Sequence, residues 1–154
     1  MINTKKVAGR REVHYESLDE VLAEAETFAS ENVKQLGNWS PGQIYEHLAR
    51  SMNSSSDGFS SIMPTPVRWM LTLLMKKKFL TKTIPAGFKS PAAYTAEDSI
   101  SAEDGLAALR HAIQRQKDES KRAPHPGFGK ITNDEWNQFN LRHAEMHMSF
   151  LVPE

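Results

Sequence analysis

The stretch from Glu135 to Leu151 is EWNQFNLRHAEMHMSFL, and it carries the clearest structural pattern in the chain. At a helical advance of about 100° per residue, one face of about 140° of arc collects its large apolar side chains together with two histidines and an asparagine. The residues on this face are Trp136, Phe139, Asn140, His143, Met146, His147, Phe150 and Leu151. Polar groups at the centre of a core-facing stripe cost free energy unless they find partners. The pattern therefore predicts a helix that carries half of a binding site.

His143 and His147 are the basis for predicting a metal site. They are four positions apart, so their Cβ atoms lie about 5–6 Å from each other on a helix, and both rings can bind one ion. The best candidate for a third ligand is His47, on the inner edge of a second predicted helix. His111 lies off the apolar stripe of its helix, whereas His125, in a loop between two prolines, could approach the site from one end. The alternative is that these histidines are packed side chains that hydrogen-bond carbonyl groups.

The order of residues around the histidine pair excludes a zinc-protease helix. Such a helix needs a glutamate directly after the first histidine, as general base. Here Ala144 follows His143, and Glu145 is expected on the opposite, solvent-facing side. The chain also has no glycine-rich phosphate loop and no serine-nucleophile elbow.

Three further polar residues are candidates to hydrogen-bond the imidazole rings or a substrate, as is His125. They are Asn140, Gln43 and Ser51. Such partners select the ring tautomer that binds metal. The alternative is that they only satisfy local polar groups.

Composition limits the classes of function. A chain of 154 residues suits one domain, here residues 1–154, and 19 basic residues balance 19 acidic ones. There is no cysteine, which excludes disulfides, thiolate ligands and a cysteine nucleophile. The N-terminus lacks the apolar run of a secretory signal, and the longest apolar stretch, Trp69 to Met75, is far shorter than the roughly 20 residues that span a bilayer. We therefore expect a soluble, cytoplasmic protein.

Four helix-start signals predict an all-α fold. Ser17, Ser40, Ser101 and Thr132 each precede an amphipathic segment and can cap its first turn. No strand pattern is evident. Four helices of this length predict a four-helix bundle. The predicted helices cover residues 17–36, 41–55, 101–121 and 133–151.

Residues 53–100 are a long crossover with a predicted short helix at 66–79. Its large apolar side chains are expected to lie on the bundle while Lys76–Lys78 face water as a solvated helix end; membrane contact is the alternative. These apolar residues are Trp69, Met70, Leu73 and Leu74. The rest of the crossover, Thr83 to Tyr94, is predicted to be an ordered loop.

Several stretches resemble the DinB-like superfamily of metal-binding four-helix bundles, in a bacterial branch known as a domain of unknown function. They cover nearly the whole chain: Arg10–Glu12 with Ser17–Glu20, Asn38–Ile44 leading to His47 and Leu48, Pro85–Lys89, His125–Lys130 and Arg142–His147. The resemblance implies a DinB-like bundle with a divalent metal, zinc or nickel before others, held by His47, His143 and His147. Characterised members use a low-molecular-weight thiol, such as bacillithiol, mycothiol or glutathione, as transferred group or cofactor.

Two functions remain open. The first is a metal-dependent thiol (S-)transferase that acts on small electrophiles, with an external thiol because the chain has no cysteine. The second is a non-catalytic stress or interaction protein in which the metal or histidine cluster is structural. A structural zinc site is closed by four protein ligands, whereas a catalytic one keeps an open position.

The expected partners are a small-molecule thiol and an electrophile, with no nucleic acid and no membrane. Leu141 and Met148 form a second apolar patch on the last helix, about 120–140° from Trp136, which could be the seam of a homodimer.

Overall fold

The computed structural model describes residues 2–88 and 99–154, and within these the chain forms six α-helices and one antiparallel pair of strands. A short 3-10 helix, Thr4–Lys6, precedes them. In chain order the elements are α1 (Leu18–Ser30), β1 (Val33–Gln35), α2 (Pro41–Asp57), α3 (Thr65–Leu74), α4 (Lys76–Thr81), α5 (Ala102–Asp118), α6 (Asn133–Met148) and β2 (Leu151–Pro153).

The four long helices begin at the predicted caps. The side chains of Ser17, Ser40, Ser101 and Thr132 each accept a hydrogen bond from the backbone N–H three residues later. At α2 and α6 the side chain of that later residue also bonds back to the N–H of the cap, which completes a capping box. Each cap stabilises its helix by about 1 kcal/mol, so these local signals determine where the helices start.

The long helices share one apolar core, and α2 and α5 approach most closely within it. A Cβ atom at Gly105 would lie 2.3 Å from the carbonyl oxygen of Gly42, and one at Gly42 would lie 2.4 Å from the carbonyl oxygen of Ser101. Only glycine fits at this crossing. The helix residues of the core are Val21, Ala25 and Phe28 of α1, Ile44, Tyr45, Leu48, Ala49 and Met52 of α2, Leu106, Leu109, Ala112 and Ile113 of α5, and Leu141, Ala144 and Met148 of α6.

The first and the last predicted helix end earlier than expected, because a sheet takes their last residues. The first helix stops at Ser30 rather than at 36, and the last at Met148 rather than at 151. Val33–Gln35 and Leu151–Pro153 instead pair as antiparallel strands, with Lys34 opposite Val152. The apolar spacing of Val33 and Leu36 suits a helix as well as a strand, and the pairing partner lies at the other end of the chain. The sequence showed no convincing strand pattern, so it did not reveal this short two-stranded sheet, which accompanies a mostly helical fold.

The crossover also differs from its prediction. The helix expected at 66–79 is interrupted at Met75, where the backbone angles are φ −123° and ψ −24°, and becomes α3 and α4. Leu71 and Met75 pack against a cluster around Phe128, but the apolar residues on the other side of α3 are exposed. The expectation that Trp69, Met70, Leu73 and Leu74 lie on the bundle was wrong, because α3 carries apolar residues on both sides and only one side meets the domain. The predicted loop is described as far as Phe88, and Tyr94 lies outside the described residues.

The second apolar patch predicted on the last helix is not exposed to solvent. Leu141 and Met148 are both buried in the main core, so they cannot form the seam of a dimer. The helix α6 is buried on several sides rather than on one face, because other parts of the chain cover it. No helix in the described part of the chain is long and apolar enough to cross a membrane.

Candidate metal centre

Helices α2 and α6 bring three imidazole rings to one point. The Nε2 atom of His143 lies 3.2 Å from Nε2 of His47 and 3.1 Å from Nε2 of His147. One ligand atom from each ring lies within 4.8 Å of the other two. The structure thus places His47 beside the pair on α6, as the sequence predicted, and this group could hold a metal ion.

Two of the three spacings among these nitrogens suit a tetrahedral metal ion. With metal–nitrogen bonds of about 2.0–2.1 Å, two ligand atoms of a tetrahedron stand about 3.3–3.4 Å apart. The Nε2 distances from His143 to His47 and to His147 are close to this value. Hydrogen bonds alone explain the arrangement less well. A neutral Nε2 has either one proton or one lone pair, so His143 can bond only one of its two neighbours at a time. A cation would satisfy all three lone pairs together.

Two of the three rings are held in the form that binds metal. His47 is buried, and His143 and His147 are partly buried. Burial is the main cause that lowers the pKa of His143 and of His147 well below 6.5, and the neighbouring imidazoles lower both further. Both rings are therefore neutral at pH 7, which is the form that coordinates a cation.

Two neighbours orient and cover the rings. The Oγ atom of Ser51 lies 3.4 Å from Nδ1 of His143, so a proton on Nδ1 can point to Ser51 and leave Nε2 unprotonated. Trp39 stacks on His147 with ring centroids 5.3 Å apart and planes 7° apart, and its centroid lies 4.8 Å from that of His47. The sequence did not identify Trp39 as part of the site; its position just before the cap of α2 was the available signal.

Asn140 is buried without a partner. It is 1% exposed, and neither atom of its side-chain amide has a hydrogen-bond partner among the described residues. It lies on α6 three positions before His143, on the helix face that carries both histidines. A buried amide with unmade hydrogen bonds costs about 1–3 kcal/mol, which marks Asn140 as a candidate ligand contact. Gln43, by contrast, uses Oε1 to accept from the N–H of Ser40 at 2.9 Å and so serves the cap of α2.

His125 is a packed histidine in this structure. Its Nδ1 atom accepts hydrogen bonds from the N–H groups of Gly127 and Phe128, both at 3.1 Å, so the ring proton sits on Nε2. The ring stacks on Phe128 at 4.5 Å and meets the ring of Phe139 at 4.6 Å. Burial lowers the pKa of His125 to about 4. His125 is not a member of the three-histidine group. The ring of Phe139 contacts the rings of both His125 and His143.

The prediction for Glu145 was wrong. The residue is fully buried rather than solvent-facing, because the N-terminal arm and the segment after α4 cover that side of α6. Its Oε1 atom accepts from the N–H of Tyr15 and from Nη2 of Arg142, both at 3.0 Å, and lies 3.1 Å from Nδ1 of His14. Its Oε2 atom accepts from Oγ1 of Thr83 at 2.8 Å. Its oxygens are thus engaged away from the three clustered histidines, and the histidine that it does contact, His14, is exposed, as is His111.

Two arginines of the N-terminal arm hold the end of α6, next to His147. Arg10 donates to the carbonyl oxygen of Met146 at 3.1 Å, and Arg11 donates to that of Met148 at 3.2 Å. Arg11 also forms an ion pair with Glu24 at 2.8 Å. Cations at a helix C-terminus satisfy its free carbonyls and interact favourably with its dipole. The arm therefore fixes the turn of α6 that carries the second histidine of the pair.

Two cavities lie elsewhere. One of about 510 Å³ is lined by Lys5, Arg10 and residues 85–88. The other, of about 460 Å³, is lined by residues 10–14 with Thr83, Glu145 and Ser149. None of the three clustered histidines lines either cavity.

Comparison with known proteins gives a family and no individual relative. No curated protein matches the chain, and no solved structure does. Residues 7–154 match the family described as "Protein of unknown function (DUF1569)". Because this match covers nearly the whole chain, the protein belongs to the DUF1569 family.

Proposed function

We propose that the chain binds a divalent cation through the Nε2 atoms of His47, His143 and His147. The observation that carries the proposal is the convergence of these atoms, two pairs of which lie 3.2 and 3.1 Å apart. Ser51 and Trp39 support it, because they orient and cover rings whose Nε2 atoms face one another. No fourth histidine or acidic residue joins this group among the described residues, so a position on the cation would stay open.

The proposed fold is a DinB-like four-helix bundle built from α1, α2, α5 and α6. All four helices contribute to one apolar core. The candidate ligands come from α2 and α6, which is the distribution that the sequence resemblance implies.

The proposed reaction is the transfer of a low-molecular-weight thiol to a small electrophile. A divalent cation at the site would supply positive charge that favours the thiolate form of a sulfur placed beside it. The chain has no cysteine, so the sulfur must come from an external thiol. Glu145 is engaged on the other side of α6, so the thiol proton would pass to water rather than to this carboxylate.

A structural role for the metal is the second candidate, and one observation favours it. Two cavities large enough for a small molecule, both lined by described residues, lie away from the three histidines. In a structural role the cation would link α2 to α6, and the rings of Trp39 and Phe139 would shield it from solvent.

Metal analysis of purified protein tests the binding step. Wild type should retain a divalent metal in equimolar amount, and His143→Ala and His147→Ala should each lose tight binding. His111→Ala is the matched control, since this exposed residue lies on α5 outside the group, and it should keep the metal. Equal metal content in all four proteins, with circular dichroism showing them folded, would mean that the rings are only packed side chains.

The reaction class needs a second measurement. Glutathione added to cobalt-substituted protein should produce a thiolate-to-metal charge-transfer band, and S-methylglutathione, which has no free thiol, should not. A metal-loaded protein whose cobalt spectrum no thiol changes would favour the structural role.

A further inference from the structure

The outer face of α3 exposes large apolar side chains. Trp69 is 79% exposed, Leu73 85%, Leu74 71% and Met70 53%. Their spacing of three and four positions puts them on one side of the helix. The opposite side is anchored, because Leu71 packs in the cluster around Phe128 and Thr72 donates to the carbonyl oxygen of Phe128 at 3.3 Å. The exposed face is therefore held in place by the domain beneath it.

The same segment is strongly basic. Residues 62–82 contain one arginine and four lysines and no acidic residue. Lys76 pairs with Glu135 at 2.6 Å, but Lys77, Lys78 and Lys82 are exposed, and no ion pair of theirs occurs within the described ranges. The overall net charge of zero thus conceals a local positive cluster.

The lysines border the apolar face. Lys77 and Lys78 follow Leu73 and Leu74 by four positions in the chain, at the start of α4. The helical hydrogen bonds of α3 end at Met75 N, which donates to Leu71 O at 2.8 Å, and those of α4 begin at Met75 O, which accepts from Phe79 N at 3.0 Å, so α4 starts directly at the end of α3. An apolar patch with a tryptophan and leucines is therefore followed directly by exposed lysines at the end of α3.

We propose that this apolar and basic surface, formed by α3 and α4, docks onto lipid bilayers with anionic headgroups. Helices that lie in the membrane interface place tryptophan and leucine at the boundary of the acyl chains and keep lysines at the headgroups. Each lysine near an anionic leaflet contributes attraction that is screened by salt. Because no described helix could cross a bilayer, the binding is peripheral.

Charge favours a membrane over a second copy of the chain as the occupant. In a two-fold dimer the same patch would face itself, which would bring the exposed lysines of both copies together. The segment has no carboxylate to neutralise them. Like charges placed opposite one another disfavour association, whereas anionic headgroups complement the patch.

Sedimentation of the full chain with lipid vesicles tests the proposal. The protein should bind vesicles made of equal parts of phosphatidylcholine and phosphatidylserine, and should bind pure phosphatidylcholine much more weakly. Lys77→Gln with Lys78→Gln should weaken binding by about 25-fold, since each lysine is worth about fivefold. Lys34→Gln with Lys121→Gln is the matched control, because these exposed lysines lie elsewhere and the change in net charge is the same.

A second pair of variants tests the apolar part. Trp69→Ser with Leu73→Ser removes two exposed side chains, so the fold should persist, as circular dichroism would show, while vesicle binding should fall strongly. The proposal is overturned if both lysine pairs weaken binding equally, or if neutral vesicles bind as well as anionic ones. It is also overturned if no vesicle binds and the wild type sediments as a dimer that the serine variant dissociates.

Discussion

The Nε2 atoms of His47 and His143 lie 3.2 Å apart, although 96 positions separate these residues along the chain. A distance this short between two uncharged nitrogens is not expected from packing alone, and a similar distance separates Nε2 of His143 from Nε2 of His147. The two contacts share one atom, Nε2 of His143. This atom can take part in only one of them as a hydrogen bond, which is why a cation accounts for the geometry better than ring packing does.

The pH dependence of metal binding should reflect buried imidazoles. Burial lowers the pKa of His143 and His147 well below 6.5, so protons compete with a metal only at lower pH. We expect the affinity for zinc to stay nearly constant as the pH falls from neutrality to about 6.5, and to fall only below that. Calorimetric titration with zinc at several pH values, from neutrality to below 6.5, measures the affinity. A marked fall in affinity already between neutrality and about pH 6.5 would contradict the prediction.

Replacement of Glu145 should destabilise the protein without a direct effect on the three clustered histidines. Glu145→Gln removes the charge that pairs with the buried guanidinium of Arg142 and places an amide among donors. We expect a loss of about 3 kcal/mol or more in the free energy of unfolding, measured by urea denaturation. Glu26→Gln, which removes a partner of Arg110 in an exposed pair, should cost less than about 1 kcal/mol. Equal effects in the two variants would mean that the Glu145 cluster does not stabilise the fold.

The crossing of α2 and α5 should tolerate no side chain at Gly105. Alanine normally stabilises a helix relative to glycine, but here its Cβ would lie 2.3 Å from a backbone oxygen, which cannot move alone. Gly105→Ala should therefore lower the free energy of unfolding by about 2 kcal/mol or more. In Gly127→Ala the new Cβ would lie 3.6 Å from the nearest atom, an ordinary contact, and stability should be unchanged or slightly higher. A stable Gly105→Ala protein would mean that the helices can separate.

The local part of the fold was predictable from sequence. Ser17, Ser40, Ser101 and Thr132 start the four long helices as expected, because a cap acts within its own first turn. The alignment of His143 and His147 follows from helical periodicity, which is also local. The proximity of His47 could be anticipated only as far as its inner position on α2.

The remaining features depend on distant parts of the chain. Glu145 is buried because residues of the N-terminal arm cover it, and no pattern within α6 reveals that cover. The strand at Val33–Gln35 exists because residues near the C-terminus pair with it. Trp39 lies against two histidines because the turn before α2 folds over the end of α6. Periodicity identifies faces of a helix, but it does not show what each face meets.

Asn140 offers a test of whether the site is built for a ligand. Its amide is buried beside the histidine face with no hydrogen-bond partner among the described residues, and this arrangement costs about 1–3 kcal/mol. Asn140→Leu keeps a similar volume and removes the unpaired groups. The metal-free variant should therefore be more stable to urea than the metal-free wild type, by about 1–3 kcal/mol. Asn137→Leu, at an exposed position of α6, is the control and should change stability by less than about 0.5 kcal/mol.

If the Asn140 amide serves to contact a ligand, Asn140→Leu should also weaken glutathione binding to the cobalt-loaded protein while its metal content stays equal to that of wild type. A variant that is less stable than wild type would show that the amide already has a partner, such as a buried water, and that its role is structural.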